Sequence, residues 1–367
     1  MKRLQEAREI INRVDGEMAK LFAERMKAVA MVAEAKKDMG MQIFDPAREA
    51  EVVRRNAALI KDEGLKAYYI QFLESNMAIS RAYQSRLLDG MRVAYSGVNG
   101  AFAHIAARRI FPDAKLVSYP DFLSAYDAVE AGECDCAVLP MENSYAGDVT
   151  QVVDRAYEGR LFINGIYDLA IDQNLLALPD AKIEDVRQVV SHPQALTQCG
   201  EYLKKKGWDL IPATNTAVAA CRVAEEGRKD LAAVASAETA ALYGLKILEK
   251  NINQSRNNTT RFAVFSPVEN RPTGEDNHFI MFFTVKNEAG SLGKAVSVIG
   301  RNGFNLKALK SRPTKNANWE YYFYVEGEGS LHSEAGTRML EELKETCSAI
   351  KVLGSYGREI LLKEEES

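Results

Sequence analysis

The sequence predicts a multidomain chain of three parts: an all-α unit, an α/β unit, and an α+β unit. Three observations predict this. At 367 residues the chain exceeds the ~100–200 residues of one usual core. Its first 89 residues carry apolar side chains at helical spacing and no strand-like alternation. From Met91 onward short apolar runs alternate with helical stretches, and the last stretch follows the order βαββαβ.

In the first part the stripe runs Leu4, Ala7, Ile11, Val14, Met18, Leu21, Ala28, Val32, Ala35, about ten turns of helix ending near Gly40. Asp45-Pro46 opens a second helix, with Asp at the N-cap and Pro at the first helical position. Gly64 is expected to stop it. A third helix is expected over Leu65–Asp89, ended by Gly90. One long helix and two shorter ones bury their apolar faces poorly alone, so a helical dimer is expected.

The second part, 91–267, has expected strands at Arg92–Tyr95, Leu116–Tyr119, Cys136–Pro140, Phe162–Ile171, Leu175–Leu178, Gln188–Ser191, Leu210–Pro212, Leu231–Ala235 and Phe262–Ser266. Helical patterns such as Phe122–Ala131 and Ala195–Lys206 lie between them, and functional residues are expected at strand ends. A polar stretch, 267–277, reads as a linker. Strands His278–Lys286, Asn305–Arg312, Trp319–Glu326 and Ile350–Ser355, with helices Leu292–Asn302 and Ser333–Ser348, then make a ferredoxin-like unit. The charged tail after Leu362 reads as frayed.

Net charge is −4 with both signs mixed, which argues against nucleic acid as a partner. Anionic small molecules would need local positive sites. The five cysteines, Cys134, Cys136, Cys199, Cys221 and Cys347, form no CxxC pair and read as reduced thiols of a cytoplasmic protein. No signal peptide and no membrane-spanning run are expected.

Within the first helix Arg25 occupies a stripe position and Lys36 lies three turns on, ~16 Å away on nearly the same face. Either both snorkel to water or they converge on one anion. Arg8 is ~25 Å from Arg25 along the axis, too far to share a small ligand within one helix. Arg48 and Glu49 open the second helix, and Ser80 and Gln84 form an i, i+4 pair on the third. The series Arg8, Arg25, Lys36, Asp45, Arg48, Glu49, Ser80, Gln84 resembles the all-helical chorismate mutase family, whose fold is an intertwined helical dimer. The resemblance implies that Arg8 of a second subunit, Arg25 and Arg48 hold the carboxylates of chorismate. Lys36 and Gln84 would donate to the ether oxygen, Glu49 would accept from the ring hydroxyl, and Asp45 and Ser80 would support the site. The rearrangement to prephenate is pericyclic and needs a held conformer and charge stabilisation, with no nucleophile.

In the second part three polar clusters stand at strand edges: Pro140-Met141-Glu142-Asn143-Ser144, Ser191-His192-Pro193-Gln194, and Asn258-Thr259-Thr260-Arg261-Phe262. Each alone reads equally as a turn cap. Together with Ser236-Ala237-Glu238 and Leu242-Tyr243-Gly244-Leu245 they match the prephenate dehydratase family closely. That resemblance implies two α/β lobes with a cleft, similar to periplasmic binding proteins. It also implies loss of carbon dioxide and hydroxide from prephenate, with neither metal nor cofactor. Thr260 is then the key residue, a hydroxyl donor or relay, and Glu142 the candidate acid. Asn143, Ser144, Gln194, Thr216 and Arg261 are candidates for binding prephenate, Arg261 alternatively being structural and His192 a loop-fixing residue. The first loop departs from the family pattern. Ala101 and Ala103 stand where hydroxyl residues are usual.

The third part, 278–357, resembles an ACT domain of the phenylalanine-sensing kind, through Ala289-Gly290-Ser291-Leu292 and Lys310-Ser311-Arg312-Pro313. The resemblance implies phenylalanine held near Ala289, Gly290, Ser291, Leu292, Asn305, Leu306 and Ser311, or else a plain dimerisation module. The family usually has Glu where Lys310 stands, so weakened or altered inhibition is open. The expectation is a homodimer, or higher homo-oligomer, that converts chorismate to phenylpyruvate under phenylalanine inhibition. Its rivals are a dehydratase with a silent helical arm and a non-catalytic amino-acid sensor.

Overall fold

The computed structural model describes residues 2–255, 257–270, 276–314 and 320–362. Residues 271–275 of the expected linker, Trp319 and the tail after Leu362 lie outside them. The chain forms two compact units, Met1–Arg92 with Gly132–Asp135, and Val93–Ala131 with Cys136–Ser367.

In the helical unit, α1 spans Lys2–Asp38, α2 Pro46–Ala57 and α3 Glu63–Asp89. Asp45 caps α2, its carboxylate accepting from Arg48 N at 3.0 Å, with Pro46 at the first position. The expected stop at Gly64 is wrong. Helix α2 ends at Ala57, and Asp62 caps α3 by accepting from Gly64 N at 2.8 Å, so Gly64 lies in the first turn of α3. A capping carboxylate outweighs the weak helix-breaking tendency of one glycine. Helix α1 is about 55 Å long, yet it buries only Val29 and Ala33. Its stripe residues Leu4, Ile11, Val14, Met18 and Leu21 are between 37% and 64% exposed.

The second unit opens with β1 (Arg92–Ser96), α4 (Phe102–Ile110), β2 (Lys115–Tyr119), α5 (Phe122–Glu130), β3 (Cys136–Asn143), β4 (Gly147–Asp148), α6 (Thr150–Glu158) and β5 (Phe162–Ala170). A second lobe follows: β6 (Asn174–Ala177), β7 (Gln188–Ser191), α7 (Pro193–Gln198), α8 (Gly200–Lys206), β8 (Asp209–Pro212), α9 (Thr216–Glu226), β9 (Leu231–Ala235), α10 (Ala237–Leu242) and β10 (Lys246–Glu249). The chain then returns through β11 (Thr259–Ser266). It continues as β12 (His278–Thr284), α11 (Ser291–Arg301), β13 (Asn305–Pro313), β14 (Tyr321–Glu328), α12 (Glu334–Thr346), β15 (Ala349–Tyr356) and β16 (Ile360–Leu362).

Three sheets result. The first runs β16-β5-β11-β3-β1-β2 with β4 beside β3, the second β10-β6-β9-β7-β8, the third β13-β14-β12-β15. β3 is almost wholly buried, as its apolar run Cys136–Met141 requires. In the third sheet Phe279, Met281 and Phe283 of β12 face α11 and α12, burying the apolar side of each helix. The opposite face packs on the first lobe. Tyr322 stacks on Tyr157 of α6 with centroids 4.0 Å apart. Lys351 Nζ donates to the carbonyls of Ala156 and Tyr157 at 2.7 and 2.9 Å, and to that of Gly159, ending α6. The closing strand β16 leaves the third sheet and pairs in parallel with β5.

Candidate functional sites

A cleft of about 630 Å³ separates the two lobes. The ends of β1, β3 and β7, the starts of α4 and α9, Thr260 and the inter-lobe residues Ile171 and Gln173 line it. This is where α/β folds hold ligands, because loops after the strands converge there.

Asn143 and Thr260 are direct cross-strand neighbours on β3 and β11. Asn143 Nδ2 donates to Thr260 Oγ1 and Asn258 Oδ1, both at 2.9 Å, and to Thr259 O at 3.2 Å. Its Oδ1 accepts from Tyr145 N and Ala146 N at 3.1 and 2.9 Å. The Asn143 carboxamide, expected to bind substrate carboxylate, is thus spent on shaping the loop and orienting Thr260. Ser144 is spent likewise: its hydroxyl donates to Asn257 O at 2.9 Å and accepts from Thr259 N at 3.0 Å.

Two expected cleft residues face elsewhere. Glu142 and Arg261 are also cross-strand partners, one residue along from Asn143 and Thr260, so strand alternation turns them to the opposite face. There Glu142 pairs with Lys310 of β13 at 3.0 Å, and Lys310 also meets Asp148 at 2.5 Å. Burial opposes the charge on Lys310, but these two carboxylates overcome it and raise its pKa. Arg261 pairs with Glu326 at 3.1 Å and approaches Glu142, Asp168 and Glu359 within 3.5–3.8 Å. Glu326 is only 2% exposed and also accepts from Tyr356 Oη at 3.0 Å. Glu142 as acid and Arg261 as substrate ligand are therefore corrected: both tie the third sheet to the first lobe.

Gln194 and Thr216 do line the cleft. His192 caps α7 as a loop-fixing residue, its Nδ1 accepting from Gln194 N at 3.2 Å, and burial lowers its pKa. The imidazole is then neutral with its proton on Nε2. Ala101 caps α4 without any side-chain bond, leaving the first N–H groups of that helix uncapped beside Ala103 in the cleft. Gln198 and Gln173 were not anticipated, and Asn258 was singled out only as part of its strand-edge cluster. Asn258 Nδ2 donates to Gln198 Oε1 at 3.1 Å, and Gln198 and Gln173 line the cleft. Only the proximity of Gln198 to the Ser-His-Pro-Gln cluster hinted at it in the sequence.

In the helical unit the structure brings Arg25, Ser80 and Gln84 together. Arg25 donates to Asn76 Oδ1 at 3.0 Å and to Ser80 Oγ, and burial lowers its pKa. Gln84 is buried, with Nε2 donating to Ser80 O at 3.3 Å and Oε1 without a partner among the described residues. Lys36 Nζ donates to Ile43 O at 2.5 Å. Glu49 is held by Arg81, unanticipated, at 2.5 Å, and Arg48 by Glu51 at 2.7 Å. Arg8 is exposed on α1, apart from this group.

At the third sheet Gly290 caps α11 with φ +84° and no side-chain bond, a conformation glycine alone adopts easily. Ala289 is exposed, Ser291 half-buried, and Leu292 and Leu306 pack into the core. Asn305 donates to Glu328 at 2.8 Å, and Ser311 lies exposed between Lys310 and Arg312. Among the described residues no group of His, Cys, Asp and Glu could hold a metal ion, and no helix is long and apolar enough to cross a membrane.

The family model described as prephenate dehydratase matches residues 93–270, and that described as chorismate mutase type II matches residues 7–85. A bifunctional chorismate mutase/prephenate dehydratase of Aquifex aeolicus is 34% identical over 98% of this chain and 99% of its own. A prephenate dehydratase of Arthrobacter aurescens, solved in complex with L-Phe, is 27% identical with a TM-score of 0.68, covering 73% of this chain and 90% of that one. A structure titled as a novel type of quorum quenching acylase, GqqA, is 32% identical with a TM-score of 0.66, over 72% and 97%.

Proposed function

The chain belongs to the bifunctional chorismate mutase/prephenate dehydratase family, and from that premise we propose how its residues carry the two reactions. It converts chorismate to prephenate and prephenate to phenylpyruvate, and the residue assignments below are our reading.

The hydrogen bond from Asn143 to Thr260 carries the dehydratase reading. Because Thr260 Oγ1 accepts there, its own proton is left to donate into the cleft. As the carbon–carboxylate bond breaks, its electron pair enters the ring and the ring carbon–oxygen bond breaks. The departing hydroxide takes one proton and leaves as water. Thr260, too weak an acid alone, passes on that proton from solvent. The uncapped N–H groups of α4, the start of α9 at Thr216, and Gln194 are suited to the two carboxylates.

For the mutase, Arg25 and Lys36 supply cationic donors and Gln84 a neutral one. The exposed stripe of α1 supports a homodimer, in which Arg8 of a second copy completes the site. The third sheet is read as an ACT domain that takes phenylalanine near Gly290 and signals through Lys310. The L-Phe complex of the Arthrobacter relative supports that ligand.

The test uses the full chain and both assays. Lys36→Ala is expected to abolish chorismate consumption alone, and Thr260→Val phenylpyruvate formation alone. Loss of both activities from either change would sink the division into two sites. A working dehydratase without mutase turnover would make the helical unit a dimerisation arm.

A further inference from the structure

Three polar side chains of the cleft have an acceptor atom already occupied from within the protein. Thr260 Oγ1 and His192 Nδ1 each accept from within the protein, so each keeps a proton of its own to donate. Gln198 Oε1 accepts from Asn258, leaving the amide N–H groups of Gln198. The two carboxylates of the lining are engaged: Asp121 caps α5 through Ser124 N at 2.7 Å, and Asp148 pairs with Lys310. Gln173 differs. It is 2% exposed, it lines the cleft, and its Oε1 is buried with no hydrogen-bond partner among the described residues.

The backbone of Gln173 is fixed on both sides. Its N–H donates to Asn253 Oδ1 at 3.2 Å and its carbonyl accepts from Ile252 N at 2.8 Å. The carboxamide is therefore presented by a pinned inter-lobe segment rather than by a free loop. A buried amide oxygen without a donor is costly and rare in folded proteins, and calls for an explanation.

The chemistry of the substrate supplies one. Prephenate as a dianion has two carboxylates and a ketone, which only accept. Its single donor is the ring hydroxyl, the group that leaves. A buried, unpaired acceptor on a residue of the cleft lining complements that one group. We propose that Gln173 Oε1 accepts the hydrogen bond of the prephenate ring hydroxyl and holds its rotation so that an oxygen lone pair faces Thr260. Gln173 moves no proton: the hydroxyl keeps its own, gains one through Thr260 from solvent, and departs as water. This inference rests on reading the cleft as the prephenate site.

Gln173→Met in the full chain, similar in volume but without the acceptor, is the test. Turnover of prephenate is compared with product inhibition by phenylpyruvate, which lacks the ring hydroxyl. The expected result is a kcat lowered by about 10–100-fold, with the phenylpyruvate inhibition constant changed less than twofold. A merely structural glutamine would weaken both. Equal losses, or a kcat within threefold of the wild type, overturn the proposal. Should the methionine variant fail to fold, Gln173→Asn, which withdraws the carboxamide by one methylene, carries the same comparison. Wild-type turnover separates the two levels: without it the prephenate reading of the cleft falls and this inference with it, whereas turnover with an unaffected variant removes Gln173 alone.

Discussion

Replacing Lys310 by methionine removes the cation between two carboxylates that stand directly opposite each other, Glu142 on β3 and Asp148 on β4. Two unit charges ~4 Å apart attract by about 4 kcal/mol at an effective dielectric constant near 20. The side chains here are 30%, 37% and 25% exposed, so solvent screening and the desolvation of all three groups cut that gain sharply. What is left is about 1–2 kcal/mol, including the cross-strand repulsion that the lysine no longer offsets. For a unit of this size the melting temperature should fall by about 2–8 °C. Glu142 precedes Asn143, which orients Thr260, so kcat for prephenate should fall by about 3–10-fold while mutase turnover holds. Thermal unfolding and both activities of Lys310→Met, Glu142→Gln and the double variant form the cycle. The expected coupling energy is about 1 kcal/mol. Additive effects to within about 0.3 kcal/mol would refute the latch. So would a Glu142→Gln variant of unchanged stability whose dehydratase is lost altogether, because Glu142 would then be the acid.

Two further predictions concern titration. Gln84→Glu places a carboxyl at a 7% exposed position, where burial raises its pKa, so the variant donates only when protonated. Its mutase rate should fall as pH rises from 5 to 8 while that of the wild type stays level, a difference read from chorismate absorbance. Burial pushes the Lys351 pKa down to about 8 from 10.5, with the field of Glu130 opposing the fall. Between those values the unfolded chain binds a proton that the folded chain lacks. The stability of the wild type relative to Lys351→Met should therefore rise as pH climbs from about 8 to 10.5, and be lost as pH falls through 8. Denaturant titrations of both proteins across that range check the sign.

Those residues show what the sequence discloses. The Asp45-Pro46 start, the strands of the α/β part and the βαββαβ order are local signals, written in caps and periodicity, and they needed no tertiary information. The facing of the strand residues is another matter. A period of two says that Glu142 and Asn143 point oppositely, and so do Thr260 and Arg261, but only the packed sheet decides which pair meets the cleft. The sequence left all four as candidates, and the structure gives the cleft to the neutral pair. β4 and β16 are two and three residues long, too short for any periodic signal. Gln173 carries no motif because its significance is an absence, an acceptor without a donor, which exists only once the neighbours are in place.

The same alternation gives the Lys310 departure a physical reading. β3 and β11 present Asn143 and Thr260 to the cleft and Glu142 and Arg261 to the third sheet, so one pair of strands faces the cleft on one side and makes a domain contact on the other. The third sheet meets that face with matching charges: Lys310 on Glu142 and Asp148, Arg312 on Asp154 at 2.7 Å, Glu326 on Arg261. A glutamate at 310 would stand third among carboxylates, and the strand could not hold this position without taking up a proton or turning away. Lysine there closes the contact in the state seen here. A ligand at the α11 turn can loosen the dehydratase only by differing in affinity between this closed arrangement and a more open one. With Lys310 favouring the closed arrangement, the effector must supply more of that difference. Phenylalanine inhibition of this chain should therefore require a higher concentration than inhibition of its Lys310→Glu variant.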